Sequence, residues 1–389
     1  MLHTSLLSNI IQAIPWTKLS PEESVLLELS NNIVASKKSY TVMRKMAGVV
    51  NWQRLLMLIR QNRLQVICKG SFNSQAFQSV APKKIFQQIV ADQMTIQLYA
   101  VKNKRVLIKI AGLFTQAGIR FVVMKTLPYE HVLFRSPVKI AGDLDILLPV
   151  SDIKLAAGVL IKLGYECFWN HEKVNKNILI QQDFYAPLGE HIFVKGNTTV
   201  ELHTTIVNSS SFTSKLLSDY NNRLLTQELY NQKQRKIYHG VPIYLFSPTA
   251  LFVSLFIHLL YQHNLQSVVR YYELFRVIHS YNNSLRWNGV LSLIQTYNLI
   301  PFFYWFICLF NDLFPSSLPK NILQSAQKYK ASFGLPQRIL YYIMKRRLFH
   351  PSDLPFRDIE KRVCWAIMNK QIFLSAISYI RQTLTILPL

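Results

Sequence analysis

Gly142-Asp143-Leu144-Asp145-Ile146-Leu147-Leu148 is the stretch on which the reading of this chain turns. Successive side chains of a β-strand point to opposite faces. Asp143 and Asp145 therefore share one face, and Leu144, Ile146 and Leu148 point the other way into a core. Two neighbouring carboxylates repel each other and favour a cation between them. A hard divalent ion, Mg²⁺ or Mn²⁺, suits such a pair because it takes carboxylate oxygens, water and substrate phosphates. Gly142 lets the backbone come close to a bound group. A solvated strand edge carries the same pattern, so a second signal is needed. Thr199-Val200-Glu201-Leu202-His203 supplies it: Glu201 and His203 fall on one face, Val200 and Leu202 on the other. Antiparallel neighbouring strands would set Glu201 beside the Asp pair. Three carboxylates can hold two metal ions, the arrangement used for in-line phosphoryl or nucleotidyl displacement. His203 either orients Glu201, touches metal or substrate, or is a satisfied polar residue. His191 is read as able to line the same cleft.

Four pieces stand in order along the chain: Val122-Val123-Met124-Lys125, Gly142–Leu148, Gly164-Tyr165 and Val200-Glu201-Leu202-His203. Together they resemble the uncharacterised bacterial nucleotidyltransferase family of the polymerase-β-like nucleotidyltransferase superfamily. The resemblance runs from about Lys84 to about His279. Thr126 stands where that family usually has Gly, and Lys139 where it often has Arg, which keeps the charge but loses the bidentate fork. The resemblance implies a metal-dependent transfer of a nucleoside monophosphate from an NTP, with ATP the expected donor, to a protein, peptide, RNA or small-molecule acceptor. It implies that Asp143, Asp145 and Glu201 are the catalytic and metal-holding residues. It also implies that Lys125, Thr126, Lys139 and Gly142 meet the nucleotide. Arg270 and Glu273 match a late helical polar pair, which either closes the cleft or forms an ordinary i,i+3 ion pair.

The 389 residues suffice for a large core and two or three domains. Half of them are hydrophobic, which excludes a disordered chain. Forty-four Lys and Arg against 20 Asp and Glu give a net charge of +24. That balance suits a polyanionic partner. Thr126 in place of Gly, with this charge, keeps open a rival reading: a basic RNA- or partner-binding protein on a nucleotidyltransferase scaffold of weak or no catalysis. Cys68, Cys167, Cys308 and Cys364 lie far apart, with no CxxC and no Cys/His cluster. They read as buried residues of a reducing compartment, not as a zinc site. No stretch reaches the ~18–20 apolar residues of a membrane span. The expectation is a cytoplasmic protein without stable membrane insertion.

The expected fold is α+β: a small mixed β-sheet nucleotidyltransferase core with a helical N-terminal cap and an all-helical C-terminal region. The expected boundaries are 1–83 for the cap, 84–210 for the catalytic core and 211–389 for the helical region. Ser20-Pro21-Glu22-Glu23 predicts a capping box opening a helix. Lys84 to Gln116 predicts a long helix ended by Gly118. Ser151 or Asp152 is expected to cap the helix that Gly164 closes, and Thr126–Phe134 a short helix. Thr249–Tyr261, apolar all round, predicts a buried helix.

Overall fold

The computed structural model describes residues 20–31, 48–66, 75–124, 143–169, 172–174, 190–207, 218–263, 265–315, 317–348 and 367–368. Its amino-terminal part is helical: α1 (Pro21–Asn31), α2 (Trp52–Gln61), α3 (Gln75–Val80) and the 34-residue α4 (Lys83–Gln116). The capping box forms as the sequence requires. The Ser20 backbone N–H donates to Glu23 Oε2 at 2.6 Å, and the Glu23 N–H donates to Ser20 Oγ at 3.2 Å. Glu22 faces inward and accepts the Asn51 N–H at 2.8 Å, tying α1 to the start of α2. Gly118, at φ 68°, ends α4 in the left-handed region that only Gly enters at no steric cost.

The chain then enters the sheet through β1 (Val122–Val123) and β2 (Asp143–Leu147). Next come α5 (Val150–Lys162), β3 (Glu166–Trp169), β4 (Glu172–Lys173), β5 (Glu190–Lys195) and β6 (Thr198–His203). The six strands lie in the order β1-β2-β6-β5-β3-β4. One pairing corrects the sequence reading: β2 and β6 are parallel, in the register Asp145↔Glu201. Parallel neighbours need a crossover, and residues 148–197 provide it through α5, β3 and β5. The other pairings are antiparallel. A second correction concerns α5. It starts at Val150 with Pro149 at its N-cap, and neither Ser151 nor Asp152 caps it. Asp152 instead accepts the Arg120 backbone N–H at 3.0 Å and pairs with its guanidinium at 3.3 Å, which fastens α5 to the residues leading into β1. The expected helix Thr126–Phe134 lies outside the described residues.

The carboxy-terminal region is helical as expected: α6 (Asp219–Asn231), α7 (Pro248–His263), α8 (Val268–Ser280), α9 (Trp287–Thr296), α10 (Ile300–Leu313), α11 (Lys320–Ala331) and α12 (Leu335–Arg347). It also holds an addition, the hairpin of β7 (Lys233–Tyr238) and β8 (Val241–Phe246). β8 packs on β1 and α4, with the Tyr244 ring edge-on to Phe121 at 6.4 Å. The apolar surround of α7 is matched by its burial from Thr249 to Ile257. Its Phe252 and Phe256 meet Phe306 of α10 at 6.1 and 5.4 Å, and Tyr271 of α8 stacks on the same ring at 5.4 Å. Aromatic pairs of this geometry add about 0.5–1.5 kcal/mol each beyond the area they bury. Cys167 and Cys308 are free and buried. Burial pushes their thiols up, to about 12 and about 11, so neither is a reactive thiolate near neutral pH.

Candidate active site

The site is built on two adjacent parallel strands. The register pairs Asp143 with Thr199, Asp145 with Glu201 and Leu147 with His203. Side chains paired across a ladder point to the same face, so Asp143, Asp145, Glu201 and His203 share one side of the sheet. Leu144, Ile146, Val200 and Leu202 are buried on the other. The pairing holds beyond the strand ends, where the Leu148 N–H donates to the His203 carbonyl at 2.9 Å. On the other edge of β2, the Met124 N–H donates to the Asp145 carbonyl at 3.0 Å. The chain therefore leaves β1 at Met124, beside Asp145.

Ligating atoms of Asp145, Glu201 and His203 all lie within 4.8 Å of one another. His203 Nε2 stands between the two acids, 3.3 Å from Asp145 Oδ1 and 3.4 Å from Glu201 Oε2. Asp145 and His203 are buried, while Glu201 keeps 17% of its side chain exposed and so faces whatever enters the site. Two carboxylate oxygens and an imidazole nitrogen at this spacing form a donor set for a divalent cation. The imidazole admits Mn²⁺ and other nitrogen-tolerant metals more readily than an all-oxygen set would.

Of the sequence-predicted residues, the structure brings together Asp145, Glu201 and His203. Asp143 is half-buried on the same face, one ladder step before Asp145 and outside the close group. Lys125, Thr126, Lys139 and Gly142 lie outside the described residues. Arg270 and Glu273 pair with each other on α8, Arg270 Nη1 reaching the two Glu273 oxygens at 2.7 and 3.0 Å. Arg270 Nε also donates to His263 Nε2 at 3.3 Å, which ties α8 to the end of α7. His191 is placed away from the cleft: it pairs with Leu202 and therefore faces away from Glu201.

Two contributors escaped the sequence reading. The chain leaving β6 is clamped by α6, immediately after His203. Asn222 Nδ2 donates to the Val207 carbonyl at 2.8 Å, and Thr226 Oγ1 accepts the Ile206 N–H at 3.0 Å. Both side chains are buried. Their polarity on an otherwise amphipathic helix was the available signal, but their target is a backbone segment that only the tertiary fold brings near.

The chain belongs to a family of uncharacterised nucleotidyltransferases. The family's sequence profile matches residues 49–315, reaching further in both directions than the motif resemblance and taking in α2, α9 and α10. No curated protein and no solved structure matches the chain. Among the described residues of this nucleotidyltransferase family member, no helix is long and apolar enough to cross a membrane.

Proposed function

We propose that the protein is a divalent-metal-dependent nucleotidyltransferase of the polymerase-β-like superfamily, moving the nucleoside monophosphate of an NTP, ATP foremost, to an acceptor hydroxyl or phosphate. The observation that carries this reading is the convergence of Asp145, Glu201 and His203 on one sheet face in a chain of nucleotidyltransferase family. Asp145, Glu201 and His203 would hold Mg²⁺ or Mn²⁺, with Asp143 on the same sheet face two residues before Asp145. Such an ion, when bound, neutralises phosphate charge and polarises the α-phosphoryl group.

The chain's own residues then have distinct tasks. Asp145, fixed by burial and by strand pairing on both sides, sets the position of the centre. Glu201, the more exposed acid, accepts the proton of the acceptor hydroxyl as its oxygen attacks the α-phosphorus. The bond from that phosphorus to the pyrophosphate oxygen breaks, and pyrophosphate departs. His203 holds the two carboxylates apart in a fixed orientation. Lys125 and Lys139 are assigned to the leaving pyrophosphate, and Gly142 and Thr126 to the triphosphate. These four assignments rest on the motif resemblance.

The test incubates the protein with each α-labelled NTP, Mg²⁺ or Mn²⁺ and a lysate as acceptor source. Label transfer that vanishes in the folded Asp143→Ala/Asp145→Ala variant is the expected result. Transfer unaffected by that substitution overturns the assignment. RNA binding without transfer, equal in wild type and variant, would favour the basic binding protein that the +24 charge keeps as a rival.

A further inference from the structure

A cavity of about 490 Å³ opens on the face of the sheet away from the carboxylates, within the size range of small-ligand sites. Its walls come from three places. Lys102, Val106, Lys109 and Ile110 form one stripe of α4, recurring at helical spacing. Leu163 and Tyr165 follow the end of α5, and Lys195 to Thr198 form the turn joining β5 to β6. Lys195 pairs with Thr198, and Phe193 with Val200. Strand alternation therefore puts Lys195 and Thr198 on the apolar, helix-covered face, opposite Glu201 and His203.

The chemistry of the lining is divided. Val106, Ile110, Leu163 and Tyr165 give an apolar floor with one aromatic ring. Lys102, Lys109 and Lys195 bring three ammonium groups to the rim, and Asn197 and Thr198 bring polar groups. Among the described residues that line the cavity there is no Asp or Glu. Lys195 is held in place by donating to the Leu163 carbonyl at the end of α5, so its charge is fixed at the rim. Gly164, at φ 83°, makes the tight turn beneath it, and a Cβ there would meet Lys195 Nζ at 3.4 Å. Three lysines beside an apolar and aromatic floor match a ligand with a ring at one end and several phosphates at the other.

We propose that this cavity binds a nucleoside polyphosphate at a site separate from the carboxylate cluster. The ring lies on Tyr165 and the aliphatic floor, and the phosphates meet Lys102, Lys109 and Lys195. The proposal does not depend on the transfer reaction, and its test works in the absence of divalent metal so that the two sites are read apart.

Titration calorimetry of the full chain with ATP in EDTA is the experiment. One ATP per chain is expected, displaced by tripolyphosphate and not by adenosine. Lys102→Glu/Lys109→Glu should weaken that binding roughly tenfold or more, since each charge-assisted contact to phosphate is lost. Asp145→Asn/Glu201→Gln should bind as wild type. Lys102→Gln/Lys109→Gln gives the same readout with less electrostatic perturbation, should the charge reversal disturb folding. Several weak equivalents, no heat at millimolar ATP, or binding insensitive to the α4 lysines overturns the proposal. So does binding lost in the Asp145/Glu201 variant. A single-stranded oligoribonucleotide that binds where ATP does not would make the face a nucleic-acid surface and overturn it too.

Discussion

The site face of the sheet and the aromatic helical bundle solve opposite problems. Around Phe306, the side chains of Phe252, Phe256 and Tyr271 gain by being buried together. On the sheet, Asp145 and His203 are buried beside Glu201, and two acids meet across one ladder step. Burying charge costs free energy unless it is compensated. The bundle is therefore where the chain gains stability, and the sheet face is where it spends some of it on a preorganised polar cluster. Substitutions in the two places should fail in different ways.

The largest effect separates them on activity. Asp145→Asn removes one charge of the cluster while keeping its shape. Label transfer from NTP should drop roughly a thousandfold or more, on the scale of losing a central electrostatic group. Its urea midpoint, measured without metal, should stay level or rise, because the facing Glu201 charge loses its neighbour. A large loss of stability in that variant would break the contrast.

Phe306→Ala is the mirror experiment. Deleting a fully buried ring amid other rings should cost about 3–5 kcal/mol in denaturant unfolding. Transfer per folded molecule should remain close to wild type. Equal damage to transfer at low temperature, where the variant is still folded, would show that bundle packing positions the site directly.

Glu273→Gln gives an intermediate case, a charged pair inside the bundle. Arg270 would keep its largely buried charge with only a neutral amide and the His263 nitrogen to meet it, at an expected cost of about 2 kcal/mol. Thermal unfolding reads the loss. Transfer that disappears while stability is kept would move the pair from bracing α7 against α8 to the reaction itself.

The smallest effect is acid sensitivity, and it should fall on the sheet layer. Burial pushes the Asp152 carboxyl up, but the Arg120 side chain and backbone N–H outweigh it and hold the carboxyl below its ordinary value. A depressed folded-state value means that the stabilisation is present above the unfolded value. It is lost as pH falls through the folded one, below ~pH 4. Hydrogen exchange should show α5 and β1 loosening in acid before α10, and Asp152→Asn should flatten that difference.

How much of this was legible in the sequence follows from what alternation encodes. Period-two patterning in 143–148 and 199–203 assigns each acid to a face, and both assignments hold in the strands. Alternation carries no strand direction, so the parallel register of Asp145 and Glu201 had no signal there. It was decided by the long crossover between them. The same limit applies to His191: its own strand does not say which face is the cleft, and only pairing with Leu202 does. The capping box of α1 was legible because both partners sit within one turn. The Asn222 and Thr226 clamp was not, because its target lies in the segment leaving β6. β7 went unread because Lys233-Gln234-Arg235-Lys236 is polar throughout and largely exposed, which looks like a loop.

The crossover between β2 and β6 also sets an order of events during synthesis. Asp145 emerges early, on a strand whose one edge is taken by β1 while the other waits. Glu201 and His203 arrive only after α5, β3 and β5 have been made, and β6 must then slot between two strands already present, β2 and β5. Closing so long a loop is slow compared with forming the local helices on either side. Until it closes, the nascent chain carries one half of the carboxylate cluster and an open strand edge. A product ending before Thr198 would display that edge to any neighbouring chain.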